Sequence, residues 1–253
     1  MAPTLTPAQL ASYARDGFLV VPGLFDPAEA ARLAAWTDEV TAWPETPGRH
    51  MVYWEAHRHE PGRRVRSRIE NFHPYHAGFR AAFDEGPIAA VAAALLDGPA
   101  VLFKDKINFK MPGGDGFKAH QDVQAGWDTY ASLHITAMVS IDSTDVENGC
   151  LEMAAGHHQR GLIGKSWQPL EGSGAEGIEY VPYPTQAGDA LFFDSYTPHR
   201  SAPNRTASAR RVLYITYNRV SEGDHRARYY ADKRKNYPPD CEREPGREYV
   251  FQV

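Results

Sequence analysis

The chain is 253 residues long, with 42% hydrophobic and 23% charged residues and a formal net charge of −5. That length allows one large core or two small ones, and the acidic balance removes the electrostatic basis for a nucleic-acid partner. The two cysteines, Cys150 and Cys241, lack the spacing of a disulfide framework or a zinc knuckle. No stretch approaches the roughly 20 apolar residues of a membrane span, and the opening MAPTLTPAQLASYARDGF has no apolar leader core, so a soluble, cytoplasmic protein is expected.

Taken in chain order, the first forty residues read as helical. Thr6-Pro7-Ala8-Gln9 and Asp26-Pro27-Ala28-Glu29 each offer an N-cap, a proline at the first helical position and a capping-box partner. Between them GFLVVPGLF (17–25) reads as a short buried strand. A third helix is expected over 77–97, broken near Gly86-Pro87. From residue 100 short β-rich runs take over: AVLFKDKINFKM, HITAMVSIDS, GCLEMAA, DALFFDS and RRVLYITYNRV, separated by PGGDG, VENG, QAGD and APN. Short strands with turns between them predict a sandwich or jelly roll rather than a parallel α/β sheet. The chain is therefore read as one domain, with helical support mainly over 1–99, a β core mainly over 100–220, and a charged, tyrosine-rich tail over 221–253 that packs on the body.

The chemistry concentrates in KAHQDVQAGW (118–127). On a strand, residues i and i+2 point to one side, so His120 and Asp122 share a face. A non-haem iron(II) site needs two histidines and one carboxylate with open positions left over. His199, in FFDSYTPHRSAPN, supplies a third ligand at a strand end. Eleven histidines make some such spacing unsurprising. His57 and His59 fit a solvated loop, His157 and His158 a turn, and His134 a core strand. Arg210, opening the next strand, adds specificity, because a guanidinium there can clamp a carboxylate through two parallel hydrogen bonds.

With these residues in place the chain resembles the phytanoyl-CoA-dioxygenase-type iron(II)/2-oxoglutarate oxygenases. The likeness runs through YARDGFLVVPGLF, FKDKINFKMPGGDGFKAHQD, ENGCLEMAAGHH and GDALFFDSYTPHRSAPN. It implies a mainly β fold, the double-stranded β-helix or cupin-like jelly roll, with flanking helices. It implies that His120, Asp122 and His199 hold iron(II), and that Arg210, helped by Ser201, holds the distal carboxylate of the cosubstrate 2-oxoglutarate. With O2 the expected products are succinate, CO2 and an oxidised, most simply hydroxylated, C–H bond. Lys104 and Asn108 occupy strand positions that ectoine hydroxylases fill with the polar residues of a Gln-x-Arg-Ile-Asn run; a lysine in place of glutamine is a departure. Oxidative cyclisation of a sugar-containing natural product, as in orthosomycin oxygenases, is an alternative within the class. A non-catalytic jelly-roll binding protein and a zinc hydrolase are alternatives outside it.

The substrate is expected to be a small polar or anionic metabolite. Lys104, Lys106 and Lys110 share one face of the strand that leads into the site, and Arg66 and Arg68 read as a second same-side pair. A long acyl chain against such charges would leave them desolvated. Gln121, Trp127 and Asn148 are further candidates for the pocket wall, although Asn148-Gly149 also fits a plain turn. Asp105, on the otherwise apolar face of the lysine strand, has no evident role.

Overall fold

The computed structural model describes residues 4–172 and 175–249. The helices start where the caps place them. α1 (Pro7–Asp16) and α2 (Pro27–Ala42) begin at Thr6 and Asp26, each with a reciprocal capping box to Gln9 or Glu29. Gly17 ends α1 at φ 83°, where a Cβ would run into His158 and Thr197. Its carbonyl accepts from the Thr197 hydroxyl (2.8 Å) and the Asp194 N–H (2.9 Å), pinning the helix to the sheet. The helix expected over 77–97 splits into α3 (Ala77–Asp84) and α4 (Pro87–Leu96), because Pro87 cannot donate to the preceding turn and starts a new one.

Two antiparallel sheets follow. The larger takes the order β1-β9-β6-β11-β4-β3-β2 and the smaller β5-β10-β7-β8. In chain order these are β1 (Phe18–Val21), β2 (Met51–Ala56), β3 (Arg64–Glu70), β4 (Ala100–Lys110), β5 (Phe117–His120), β6 (His134–Ser140), β7 (Leu151–Met153), β8 (Val181–Tyr183), β9 (Ala190–Asp194), β10 (His199–Ser201) and β11 (Arg210–Arg219). The architecture is the double-stranded β-helix. One face of the larger sheet packs on the helices: Ile107, Ile135, Val139, Leu213 and Ile215 meet Leu33, Val40, Phe79, Phe83 and Val91. Its other face meets the smaller sheet, with Met138, Leu191, Phe193 and Val212 against Leu151 and Met153. The β2–β3 hairpin falls within the stretch read as mainly helical and widens the larger sheet.

Two register shifts correct the strand reading. Between β2 and β3 the pairing slips so that Trp54 faces Arg66 and Tyr53 faces Arg68. Ser67 is left over, and Arg66 and Arg68 turn to opposite faces rather than sharing one. Between β4 and β11 the slip leaves Phe103 unopposed, and Phe103 packs with Trp127 and Tyr229 instead of following Ile107 and Phe109 into the helical core.

The buried Asp105 has a structural task. It accepts from the N–H groups of Phe72 (2.7 Å) and His73 (2.9 Å), from Arg226 (2.6 Å) and from the Tyr230 hydroxyl (3.1 Å). Those last two residues lie on α5 (Arg226–Asn236), so one carboxylate ties the C-terminal helix to the sheet. The tail's last residues, 250–253, lie outside the described residues.

Candidate active site

β5 and β10 run side by side with His199 opposite His120. The strand stops at His120, and Asp122 opens a short 3-10 turn, Asp122–Ala125. Asp122 therefore reaches the site by a turn, not by the strand alternation expected of an H-x-D pair. Its Oδ1 lies 3.9 Å from Nε2 of both histidines, and the three ligand atoms fall within 4.8 Å of one another.

Each imidazole is held in one orientation. Nδ1 of His120 faces the Lys118 carbonyl (2.7 Å) and Nδ1 of His199 faces the Thr197 carbonyl (3.0 Å). A carbonyl only accepts, so Nδ1 carries the proton and the Nε2 lone pair points at the site. Burial keeps both rings neutral, taking His120 down to about 3, with His199 adding to the effect, and lowering His199 as well. Burial alone would raise the Asp122 carboxyl, but His199, His120, Lys106 and Lys104 outweigh it and hold it below the usual range. Its Oδ2 accepts from Thr136 Oγ1 (3.2 Å), which in turn meets Thr216 (3.0 Å). Two neutral imidazole nitrogens and a carboxylate converging from one side suit iron(II) and leave positions open.

Arg210 starts β11 opposite Lys110. It is 3% exposed, and its Nε and Nη1 are buried without a partner. Burial pulls the guanidinium below its usual value, yet an arginine stays charged. A buried cation with unused donors fits a planar anion such as a carboxylate. Ser201 is buried on β10, two residues beyond His199, and the buried Asn108 Oδ1 also lacks a partner. Tyr214 was missed in the sequence. It sits four residues from Arg210 on the same side of β11; burial raises its hydroxyl to about 12, Arg210 opposes this and Asp122 adds to it. The even spacing from Arg210 was the available signal.

A cavity of about 500 Å3 opens beside His120 and Asp122. β3 and β4 contribute Arg68, Glu70, Lys104 and Lys106, the chain after Asp122 contributes Trp127 and Tyr130, and α5 contributes Tyr229, Asp232 and Lys233. Glu70 is fully buried, 2.5 Å from Lys233 and 3.1 Å from Arg68. Burial would raise its carboxyl, but Lys233, Lys104 and Arg68 hold it far below the usual range. Lys104 Nζ stands over Trp127 (5.2 Å) and Tyr229 (5.5 Å), and Lys106 Nζ over Tyr214 (4.6 Å). Burial, then Lys104, takes Lys106 down to about 7.

Other sequence candidates lie elsewhere. Lys104 stands six residues from Lys110 on β4, roughly 20 Å along the strand from Arg210's partner, so it faces the cavity and not the Arg210 end. Lys110 is occupied by the carbonyls of Gly149 (3.1 Å) and Ala202. Arg66 donates to the Thr41 carbonyl (3.0 Å) and lies over Trp54, on the helical side of the sheet. Gln121 is fully buried and spends its amide on the carbonyls of Gly161 and Tyr196 and the N–H of Ile163, away from the cavity. Asn148 closes a turn with Asp145 and Ser143.

A jelly roll whose inner wall carries two histidines, an aspartate and a buried arginine is the framework of an iron(II)/2-oxoglutarate-dependent dioxygenase. The phytanoyl-CoA dioxygenase (PhyH) family matches residues 13–212, and the chain belongs to it. It is 41% identical over 238 residues to the methylphosphonate hydroxylase of Gimesia maris, covering 94% of this chain and 90% of that protein. It is 39% identical over 249 residues to the 2-aminoethylphosphonate dioxygenase of an uncultured bacterium, covering 96% and 93%. In fold it is similar to EctD from S. alaskensis with 2-oxoglutarate and 5-hydroxyectoine (TM-score 0.73, 23% identity, 86% of this chain and 77% of that one). The protein is an enzyme that uses iron(II), 2-oxoglutarate and O2 and acts on a small molecule. Among the described residues no helix is long and apolar enough to cross a membrane.

Proposed function

We propose that the enzyme hydroxylates a C–H bond of a small phosphonate. The carrying observation is the charge of the cavity. Iron(II), Asp122, a 2-oxoglutarate dianion and Arg210 cancel among themselves. Of the remaining lining groups, Lys104, Lys106 and Lys233 surround one buried carboxylate, Glu70, which Arg68 also meets, so the wall is predominantly basic. Asp232, at the rim, has Arg228 3.8 Å away. A predominantly basic wall suits an anionic head group such as a phosphonate, and an uncharged or long-chain ligand would leave its lysines desolvated. The two phosphonate-acting relatives support the same chemistry.

In this reading His120, Asp122 and His199 hold the iron, while Arg210, with Ser201, holds the far carboxylate of 2-oxoglutarate. Lys104, Lys106, Arg68 and Lys233 fix the anionic end of the substrate, so that its carbon is presented beside His120 and Asp122. Trp127 and Tyr229 exclude water and keep the lysines aligned through their ring faces. The bound metal supplies O2 activation, coupling conversion of 2-oxoglutarate to succinate and CO2 with oxidation of the C–H bond. The test is succinate release with methylphosphonate, 2-aminoethylphosphonate, their carboxylate counterparts and a long-chain acyl-CoA. Tightly coupled turnover is expected with a phosphonate. Coupled turnover of the acyl-CoA, with none of any phosphonate, refutes the reading.

A further inference from the structure

The cations of the cavity come from β3, β4 and α5, but one wall comes from a loop with an unusual conformation. Trp167 lines the cavity, yet it is 50% exposed and has φ 63°, a left-handed backbone that a bulky side chain adopts only where its surroundings impose it. Hydrogen bonds to the turn after Asp122 impose it here. Trp167 N–H donates to the Gln124 carbonyl (2.7 Å), and the fully buried Gln124 amide donates to the carbonyls of Lys165 (2.9 Å) and Gln168 (2.7 Å). Gln121 grips the same loop at Gly161 and Ile163. The two glutamines flank Asp122, so the loop is clamped to the turn that carries this site residue. Gly126 completes the seat: at φ 72° it leaves room for the indole, and a Cβ there would come within 2.7 Å of Trp167.

We propose that Trp167 is a specificity-determining lip, an indole held at the cavity mouth that limits how long a substrate chain fits between the cationic wall and the metal site. The inference rests on the phosphonate reading above. Anchoring through Gln121 and Gln124 makes the lip a fixed wall rather than a free loop, so the limit is set by the ring's size. The buried polarity of these glutamines thus serves the shape of the pocket, not contact with substrate.

The experiment measures kcat/KM for methyl-, ethyl-, propyl- and butylphosphonate and for 2-aminoethyl- and 3-aminopropylphosphonate, in the wild type and in Trp167→Ala, Trp167→Gly and Trp167→Phe. Glycine accepts φ 63° without strain, so Trp167→Gly removes the ring while suiting the backbone. Wild type should favour the shorter members of each series. Both ring-deleting variants should shift the long-to-short ratio towards the longer members by tenfold or more with the KM for 2-oxoglutarate unchanged, and Trp167→Phe should keep the wild-type order. A purely structural role would lower all members alike. Unchanged ratios in Trp167→Gly overturn the lip while leaving the phosphonate reading standing. A wild type that turns over none of the six overturns the phosphonate reading itself, and the lip with it.

Discussion

Replacing Arg210 by methionine removes a buried charge whose Nε and Nη1 have no protein partner. In the ligand-free protein this cation is a liability, since an unpaired buried charge costs its desolvation. Arg210→Met keeps the length and apolar bulk of the side chain and should leave the 2-oxoglutarate-free protein as stable as wild type or more so. With cosubstrate the order reverses. A charge-assisted bidentate contact is worth about 1.5–3 kcal/mol, so 2-oxoglutarate affinity should drop about 10- to 150-fold. The readout is thermal unfolding of the metal-loaded protein under argon. At 2-oxoglutarate near 100 times its Kd, the wild type gains about 2.7 kcal/mol, equivalent to roughly 5–10 °C in a chain of this size. Arg210→Met should keep only about 0.3–1.4 kcal/mol of that gain at the same concentration, about half of the wild-type shift or less. Arg211 is the adjacent control. It is committed to Asp142 through Nε and Nη2 (both 2.9 Å) and to Asp38, so Arg211→Met should lower stability with or without cosubstrate and leave the cosubstrate-induced shift intact. A full cosubstrate shift in Arg210→Met, or its loss in Arg211→Met, refutes the placement of the clamp.

His120→Ala and His199→Ala should each abolish turnover and iron(II) binding with the fold retained by circular dichroism; near wild-type activity in either would show the ligand set is wrong. Arg68→Ala should raise the substrate KM roughly tenfold or more, whereas Arg66→Ala should leave KM unchanged and cost about 1 kcal/mol through its lost contacts to Thr41 and Trp54; equal KM effects would contradict the bulge at Ser67. Asp194 gives a pH signature. Burial raises its carboxyl to about 6 from 3.8, opposed by the Tyr196 N–H. The folded state holds this proton more tightly than the unfolded chain, so the associated stability is present below about pH 3.8 and is lost as pH rises through 6, with a ceiling of roughly 3 kcal/mol. Asp194→Asn should therefore gain on wild type in urea unfolding as pH rises from 4.5 to 7, and a stability gap that stays constant across that range would rule out the effect.

What was legible in the sequence, and what was not, follows from the range over which each feature is encoded. Capping boxes at Thr6 and Asp26 and the break at Gly86-Pro87 depend on residues within one turn, and they form as written. The β core was legible because apolar runs bounded by turn residues need no partner to be recognised. The faces of strands were a different matter. Alternation assigns a side only while the register is unbroken, and one extra residue inverts everything beyond it. Ser67 and Phe103 are such residues, and each slip shows only in pairing with a distant strand, β2 for one and β11 for the other. That is why Arg66 read as a partner of Arg68 and now stands across the sheet from it. The same limit hid the acid in the cationic wall. Glu70 lies in the stretch read as mainly helical support, and Lys233 is one charge in the tail expected to pack on the body. Only when α5 lies across the sheet, held by Arg226 and Tyr230 on Asp105, do the two meet at 2.5 Å. The pairing also sets the charge of the cavity, because it places one buried carboxylate among the basic groups of the wall. The charge of the cavity therefore depends on Asp105, which holds α5 in place and whose strand position made least sense in the sequence.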